Sequence, residues 1–212
     1  MAETTKPVLY SYWRSSCSWR VRIGLALKGV EYDYRAVHLL KDGGEQLQEE
    51  FAKLNPMKLL PAFVEGGLVL SESLAILEYL EETRPSPALL PPSAAERAQV
   101  RRLCQLIACD IQPLQNLKVL KAVGAEKKME WGKRWIKEGF EALEPLLAQS
   151  AGQYSFGDQV TLADLCLVPQ VYNANRFAVD MAAFPTISRV AAACAELPAF
   201  AEAHPDRMPD AQ

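Results

Sequence analysis

Arg14-Ser15-Ser16-Cys17-Ser18-Trp19-Arg20 separates an aromatic, apolar run, Pro7 to Trp13 (PVLYSYW), from a segment of helical periodicity that reaches about Lys28. The first run has the composition of a β-strand. In the second, Val21, Leu25 and Lys28 share one side and Ile23, Ala26 and Leu27 another, with Gly29 where a helix C-cap is expected. Working outward, Glu31 to Leu39 alternates like a strand and runs into the loop Lys41-Asp42-Gly43-Gly44. Glu45 to Leu54 predicts a short amphipathic helix stopped by Asn55-Pro56. Ala62-Phe63-Val64-Glu65 and Leu68-Val69-Leu70 flank Gly66-Gly67, which predicts a β-hairpin. Ser71 to Glu82 is helical again, with Ile76, Leu77 and Leu80 apolar. The order strand-helix-strand-helix-strand-strand-helix predicts a small mixed sheet with a parallel crossover and a terminal hairpin.

Pro85, Pro87, Pro91 and Pro92 then interrupt the chain. They mark a linker over 87–92, between a first domain of residues 1–86 and a second of residues 93–212. No strand pattern follows. Residues 93–122, 126–149, 161–180 and 185–203 read as helices, kinked or divided at Pro113, Pro145 and Pro169. The helix beginning near Thr161 is well specified: Thr161 and Asp164 match a capping box with the shorter Asp in place of Glu, and Val160 and Leu165 supply a hydrophobic staple.

Composition excludes several functions. Half of the 212 residues are apolar and 23% are charged, as in a chain with a buried core. The net charge is −3 and does not segregate: 10 basic and 12 acidic side chains precede residue 85, and 13 and 14 follow. A nucleic-acid partner is therefore not expected. No apolar run approaches the roughly 18 residues of a membrane span, and Met1 to Trp13 lacks the pattern of a signal peptide. Five cysteines without Cys-x-x-Cys spacing and only two histidines, His38 and His204, predict neither a disulfide framework nor a metal site. Four cysteines lie in apolar helical surroundings and read as buried small hydrophobes. Cys17 is the exception. A reduced, cytoplasmic protein is expected.

The chemistry points back to the opening stretch. Amides at a helix N-terminus are unsatisfied and partly positive, so the Ser15–Cys17 loop can hold an anion. A thiolate qualifies, because such a site can lower a thiol pKa from about 8.5 towards roughly 6–7. The serine hydroxyls can donate to the sulfur; alternatively, Ser15 and Ser16 are only N-caps. Leu59-Leu60-Pro61, ahead of a strand, is either a rigid turn or, with a cis bond, an exposed backbone edge that pairs with a peptide-like ligand. Glu72-Ser73 is either simple capping, with Ser71 as N-cap, or a carboxylate for a ligand amine beside a hydroxyl and an amide for a ligand carboxylate.

Together these clusters resemble the glutathione-binding pattern of the glutathione transferases, and Thr161–Asp164 is similar to their second-domain capping box. More narrowly, Ser15-Ser16-Cys17-Ser18-Trp19-Arg20-Val21-Arg22-Ile23 resembles the signature of the zeta class. So do Asn55-Pro56-Met57-Lys58, Ile111-Gln112-Pro113-Leu114-Gln115-Asn116 and Ala163-Asp164-Leu165-Cys166-Leu167-Val168-Pro169-Gln170-Val171. The resemblance runs from Pro7 to about Asp210. Two departures stand out: Glu72-Ser73 replaces the Gln-Ser of animal members, and Lys58-Leu59-Leu60 replaces the Gln-Val that commonly precedes the proline.

The resemblance implies an α/β thioredoxin-like N-terminal domain followed by an all-α C-terminal domain, assembled as a homodimer. It implies glutathione as cofactor, with its sulfur at Ser15, Ser16 and Cys17, its backbone on Leu60, its γ-glutamyl end at Glu72 and Ser73, and Gln46 at the glycyl end. Ser18, Trp19 and Arg20 complete that loop. Gln112 and Asn116, with Leu117 and Lys118 beside them, match residues bordering the site, from the second domain or the partner subunit. Characterised members of the class isomerise maleylacetoacetate, within tyrosine and phenylalanine catabolism. The implied chemistry is reversible thiolate addition to a conjugated cis double bond, with glutathione regenerated. Arg14, Arg20 and Arg176 are the candidate clamps for the carboxylates of the diacid substrate. Conjugation or dehalogenation of small electrophiles such as α-haloacids is the alternative, and a non-catalytic interaction module a weaker one.

Overall fold

Strand β1 (Val8–Ser11) alternates half-buried and buried residues, so Leu9 faces the interior at 0% exposure. The computed structural model describes residues 6–212. After β1 the chain turns into α1 (Ser16–Leu27) and returns as β2 (Asp33–Ala36), which lies parallel to β1 with Val8 opposite Asp33 and Ser11 opposite Ala36. Two short 3₁₀ turns and α2 (Glu49–Leu54) lead to the hairpin β3 (Ala62–Glu65) and β4 (Leu68–Ser71), and α3 (Ser73–Thr83) follows. The sheet order is β2-β1-β3-β4, with β3 antiparallel to both neighbours. This is the mixed sheet that the sequence predicts. Its core joins Leu9 and Phe63 to Ile23 and Leu25 of α1 and Ile76, Leu77 and Leu80 of α3, all at 0% exposure. Each such side chain contributes about 1.5–3 kcal/mol through burial.

The chain divides into two compact units, and the division differs from the sequence expectation in that residues 88–92 of the expected linker belong to the second unit and residues 198–212 to the first. Unit one contains the described residues up to Pro87 together with 198–212, and unit two residues 88–197. Segment 198–212 was expected within the helical domain. It joins the first unit because α9 (Pro198–Glu202) packs on α1, and because polar groups of α1 and of the β1–α1 loop bond to residues after it. These contacts are long-range and polar, and hydrophobic periodicity carries no trace of them.

Unit two contains α4 (Ala94–Gln105), α5 (Leu117–Val123), α6 (Lys128–Ser150), α7 (Leu162–Arg176) and α8 (Pro185–Ala195). The helix predicted over 93–122 is broken where a π-helical turn, 106–111, meets a 3₁₀ turn, 112–115, that carries Pro113. Pro145 and Pro169, by contrast, sit inside α6 and α7 without ending them. The core includes Ile107, Ile136, Phe140, Leu143 and Leu165. Close helix packing requires glycine at 132 and 139, where a Cβ would lie 2.4 Å from Phe177 and 2.3 Å from Ile111. The capping box forms as expected. Asp164 Oδ2 accepts from the Thr161 amide at 2.7 Å, and its Oδ1 accepts from the Ser155 amide at 2.7 Å.

Candidate functional site

Ser15 begins the site. Its amide donates to the Tyr12 carbonyl at 2.9 Å, closing a tight turn after β1, and its extended backbone (φ −69°, ψ 114°) leads into α1. Its Oγ accepts from the Ser18 amide at 3.2 Å and its carbonyl accepts from the Trp19 amide at 2.8 Å. Ser15 is therefore the N-cap. The cap uses the hydroxyl oxygen as acceptor and leaves the hydroxyl hydrogen for another acceptor. Both roles weighed from the sequence are compatible in one side chain.

The rest of the signature divides by burial. Cys17 is half-buried, while Ser16 is 7% exposed. Ser18, Trp19 and Arg20 are interior, at 0%, 3% and 1% exposure, and Trp19 packs edge-on against His204 with ring centroids 5.2 Å apart. Arg20, a candidate substrate clamp from the sequence, is therefore an interior side chain. Its Nη1 donates to Ser73 Oγ at 3.3 Å and so ties the start of α1 to the start of α3. Arg14 is half-buried, with its guanidinium carbon 5.1 Å from the Trp13 ring centroid.

At the start of α3 the N-cap is Glu72, one residue later than the Ser71 expected, because Ser71 completes β4. Glu72 has φ 66° and ψ 111°, a backbone conformation that costs a non-glycine residue about 1–3 kcal/mol. Its side chain is exposed, and Ser73, at the first helical position, is buried. The α3 N-terminus is thus linked through Ser73 and Arg20 to the first turns of α1. Leu60 precedes a cis proline, Pro61, and is shaped from behind by Asn55. Asn55 Nδ2 donates to the Leu59 carbonyl at 2.7 Å, and its Oδ1 accepts from the Met57 amide at 3.0 Å. Gln46 is 7% exposed, and Gly44 (φ 119°) makes room for it, since a Cβ there would sit 2.7 Å from its amide nitrogen.

Sequence reasoning missed the parts of Asn55, Arg22 and Asp210. Asn55-Pro56 reads only as a helix stop. Arg22 reads as part of a signature, yet it is 1% exposed and each of its three nitrogens donates: Nε to the Ala203 carbonyl (3.1 Å), Nη1 to Ser11 Oγ (3.1 Å) and Nη2 to the Trp13 carbonyl (2.9 Å). Burial lowers its pKa from 12.5 to about 10, so it stays charged at neutral pH.

In unit two, Gln112 opens the 3₁₀ turn and Asn116 caps α5, its Oδ1 accepting from the Lys118 amide at 3.0 Å. Leu117 is half-buried and Lys118 exposed. Arg176 ends α7, exposed, with its guanidinium 5.3 Å from the Phe177 ring centroid. Cys104, Cys166 and Cys194 are buried as expected, whereas Cys109 is exposed on the π-helical turn, contrary to the apolar reading of its neighbours. Burial pushes the Cys194 thiol well above its ordinary range, so it stays protonated. Among the described residues no group of His, Cys, Asp or Glu could hold a metal ion, and no helix is long and apolar enough to cross a membrane.

This arrangement coincides with a known family. The sequence profile of the glutathione S-transferase N-terminal domain matches residues 7–82, and that of the glutathione S-transferase C-terminal domain matches residues 116–203. The chain belongs to the glutathione S-transferase family. It is 58% identical to the maleylacetoacetate isomerase of Rattus norvegicus over 97% of this chain and 95% of the rat protein. Its fold superimposes with a TM-score of 0.92 on the holo structure of a bacterial zeta-class maleyl pyruvate isomerase, at 48% identity, covering 97% of this chain and 100% of that one. The maleylacetoacetate isomerase of Anaeromyxobacter dehalogenans, with GSH bound in its active site, gives a TM-score of 0.89 at 48% identity, over 98% of both chains. A second structure of that enzyme holds dicarboxyethyl glutathione and citrate in the active site (TM-score 0.87, 47% identity, 98% of both chains).

The residues of this glutathione S-transferase fit the tripeptide that the family uses. Buried Arg20 Nε and Nη2 and Gln46 Oε1 make no hydrogen bond within the protein. Such atoms can take a hydrogen bond from an ordered water or a bound polar group. Two helix N-termini and one exposed carboxylate, Glu72, match the anionic and cationic ends of glutathione in kind.

Proposed function

We propose that the protein is a glutathione-dependent cis–trans isomerase that converts maleylacetoacetate to fumarylacetoacetate. The observation that carries this reading is the start of α1. There Ser15 caps the helix with its oxygen and keeps its hydroxyl hydrogen available, in a chain closely similar to maleylacetoacetate isomerases. Glutathione, when bound, supplies a thiolate that adds reversibly to the alkene and, on leaving after bond rotation, restores the more stable trans double bond.

The protein's residues orient and poise that chemistry. Ser15 donates its hydroxyl hydrogen to the sulfur, and the N-terminus of α1 adds partial positive charge at the same place. Ser16 and Cys17 line the loop. A neutral donor suits a reversible addition, because a thiolate stabilised too far loses nucleophilicity. Glu72 receives the ligand ammonium, Ser73 and the first amides of α3 the adjacent carboxylate, the Leu60 backbone the peptide, and Gln46 the glycyl end. Arg20 holds Ser73 in place. Arg14 and Arg176 bind substrate carboxylates, for which a guanidinium fork is suited. Gln112, Asn116, Leu117 and Lys118 keep the bordering role that the resemblance implies, although the Asn116 side-chain oxygen already caps α5. The class resemblance further supports a cytoplasmic homodimer serving tyrosine and phenylalanine breakdown, with a secondary activity on α-haloacids.

The deciding experiment incubates the protein with maleylacetone and glutathione and follows the cis isomer and the glutathione concentration together. Loss of the cis isomer at constant glutathione is expected. Stoichiometric consumption of glutathione would assign a conjugating transferase instead. Absence of any glutathione affinity by calorimetry would leave only an interaction module.

A further inference from the structure

Segment 203–212 reaches back to the loop that presents Ser15. Asp210 Oδ2 accepts from the Trp13 amide at 3.0 Å, across 197 residues of sequence, and its Oδ1 accepts from the Tyr34 hydroxyl at 2.6 Å. The carbonyl of Ala203 takes the Nε of Arg22, whose two other nitrogens hold Ser11 Oγ, the Tyr12 carbonyl and the Trp13 carbonyl. Met208 packs against the cluster that contains Tyr12, Trp13 and Leu60. The turn that hangs from this frame is short: the Tyr12 carbonyl accepts the Ser15 amide at 2.9 Å, so displacement of residues 12–13 displaces the cap.

We propose that Asp210 is a positioning residue for the reaction: it fixes the Trp13 amide and thereby the direction of the Ser15 hydroxyl toward the glutathione sulfur. The inference rests on the proposed role of Ser15. Arg22 grips the loop through its carbonyls, and Asp210 grips the one backbone donor at its middle. A carboxylate is suited to this double duty, because both of its oxygens accept at once and charge-assisted bonds are about twice as strong as neutral ones. Tyr34 anchors Asp210 from β2, and burial together with that hydrogen bond holds its phenol well above the ordinary tyrosine range, so it remains a donor. Segment 203–212 thus sets the precision of the site without touching the ligand. A donor displaced by a fraction of its hydrogen-bond length loses part of the stabilisation that an oxyanion-type site provides.

The test compares wild type, Asp210→Ala, Asp210→Asn, Tyr34→Phe and Ser15→Ala. The readouts are maleylacetone turnover, the ultraviolet thiolate absorbance of bound glutathione across pH, affinity for S-methylglutathione, and hydrogen exchange at the Trp13 amide. Asp210→Ala should lower kcat about 5- to 20-fold and raise the pKa of the bound thiol by roughly 0.5–1 unit, the size expected for partial loss of a charge-stabilising donor. Trp13 exchange should quicken while S-methylglutathione affinity holds. Asp210→Asn should recover part of the loss, since its amide oxygen can still accept from Trp13, and Tyr34→Phe should fall between the two. The proposal is overturned if Asp210→Ala lowers thermal stability and S-methylglutathione affinity while the thiol titration stays at its wild-type position. It is equally overturned if Trp13 exchange is unchanged. If Ser15→Ala leaves the thiol titration unmoved, the role assigned to Ser15 fails. A thiol shift in Asp210→Ala alone would then show that the loop is positioned for Ser16 or Cys17, which overturns the route through Ser15.

Discussion

Removing the Ser15 side chain separates two jobs that share one hydroxyl. Ser15→Ala deletes the acceptor of the Ser18 amide, a capping loss of about 1 kcal/mol. In a chain of 212 residues this lowers Tm by only about 2–4 °C, and α1 stays in place because Val21, Ile23 and Leu25 are at 0% exposure. The same substitution deletes the hydrogen that the cap leaves available for the sulfur. Losing a donor of this kind costs about 100-fold or more in turnover, or about 2.7 kcal/mol. The catalytic effect therefore exceeds the structural one by more than a factor of two in free energy. Ser15→Gly widens the contrast, since glycine caps within a few tenths of a kcal/mol of serine yet carries no hydroxyl. Ser15→Thr retains both functions. The assay is initial-rate isomerisation of maleylacetone at saturating glutathione, with thermal unfolding of each variant alongside. Expected activities follow wild type, then Thr, with Gly and Ala together at the bottom, whereas stabilities place Gly close to wild type. Turnover of Ser15→Gly within a few-fold of wild type would refute the reasoning, leaving Ser15 as a cap and passing the donor role to Ser16 or Cys17.

Cys17→Ala should raise KM for substrate and reduce sensitivity to alkylation with turnover retained, because the attacking sulfur is glutathione's. Mass mapping after mild alkylation should find label on half-buried Cys17 and exposed Cys109 ahead of Cys104, Cys166 and Cys194, and complete inactivation of Cys17→Ala would indicate a protein nucleophile. Arg176→Ala should raise KM for a diacid by roughly 10- to 150-fold, as for the loss of a charge-assisted pair. Glutathione affinity and a carboxylate-free electrophile should be unaffected, Lys should rescue partly, and equal losses on both substrates would reduce Arg176 to a structural role. Asp164→Ala should cost about 2–5 kcal/mol in urea unfolding, because the buried amides of Thr161 and Ser155 lose their acceptor. Burial raises the Asp164 carboxyl above its ordinary 3.8, so the folded protein holds that proton where the unfolded chain releases it. Its contribution is then full below the unfolded value and declines as pH rises through the folded one. The margin over Asp164→Asn should therefore narrow as pH rises above the ordinary carboxylate range, and a widening margin would contradict the direction of the shift.

Local chemistry made much of this protein legible in one dimension. β1, the hairpin around Gly66-Gly67 and the helices were read from hydrophobic period and turn residues. The Thr161–Asp164 box was read from spacing, because its partners lie three residues apart. The candidate ligand cluster stood out for a related reason: Ser15–Cys17, Leu60-Pro61 and Glu72-Ser73 each sit at a junction of elements, where side chains do not serve the core pattern. Burial on all sides of a helix was not legible. α1 alternates polar and apolar residues, yet Ser18, Arg20 and Arg22 are interior alongside Val21 and Ile23, since α3 and α9 cover the faces that the sheet leaves open. The tie from Arg20 to Ser73 is accordingly visible only in the folded chain. The grouping of residues 198–212 with the first unit escaped for the same reason. Asp210 is one exposed-looking acid near the end of a charged stretch, and its worth comes from the Trp13 amide 197 residues away. Capping, turns and periodicity act over a few residues and therefore leave a mark in sequence. Which polar groups meet in the interior is settled only when distant segments pack, because a buried donor must find its acceptor wherever the fold brings one within about 3 Å.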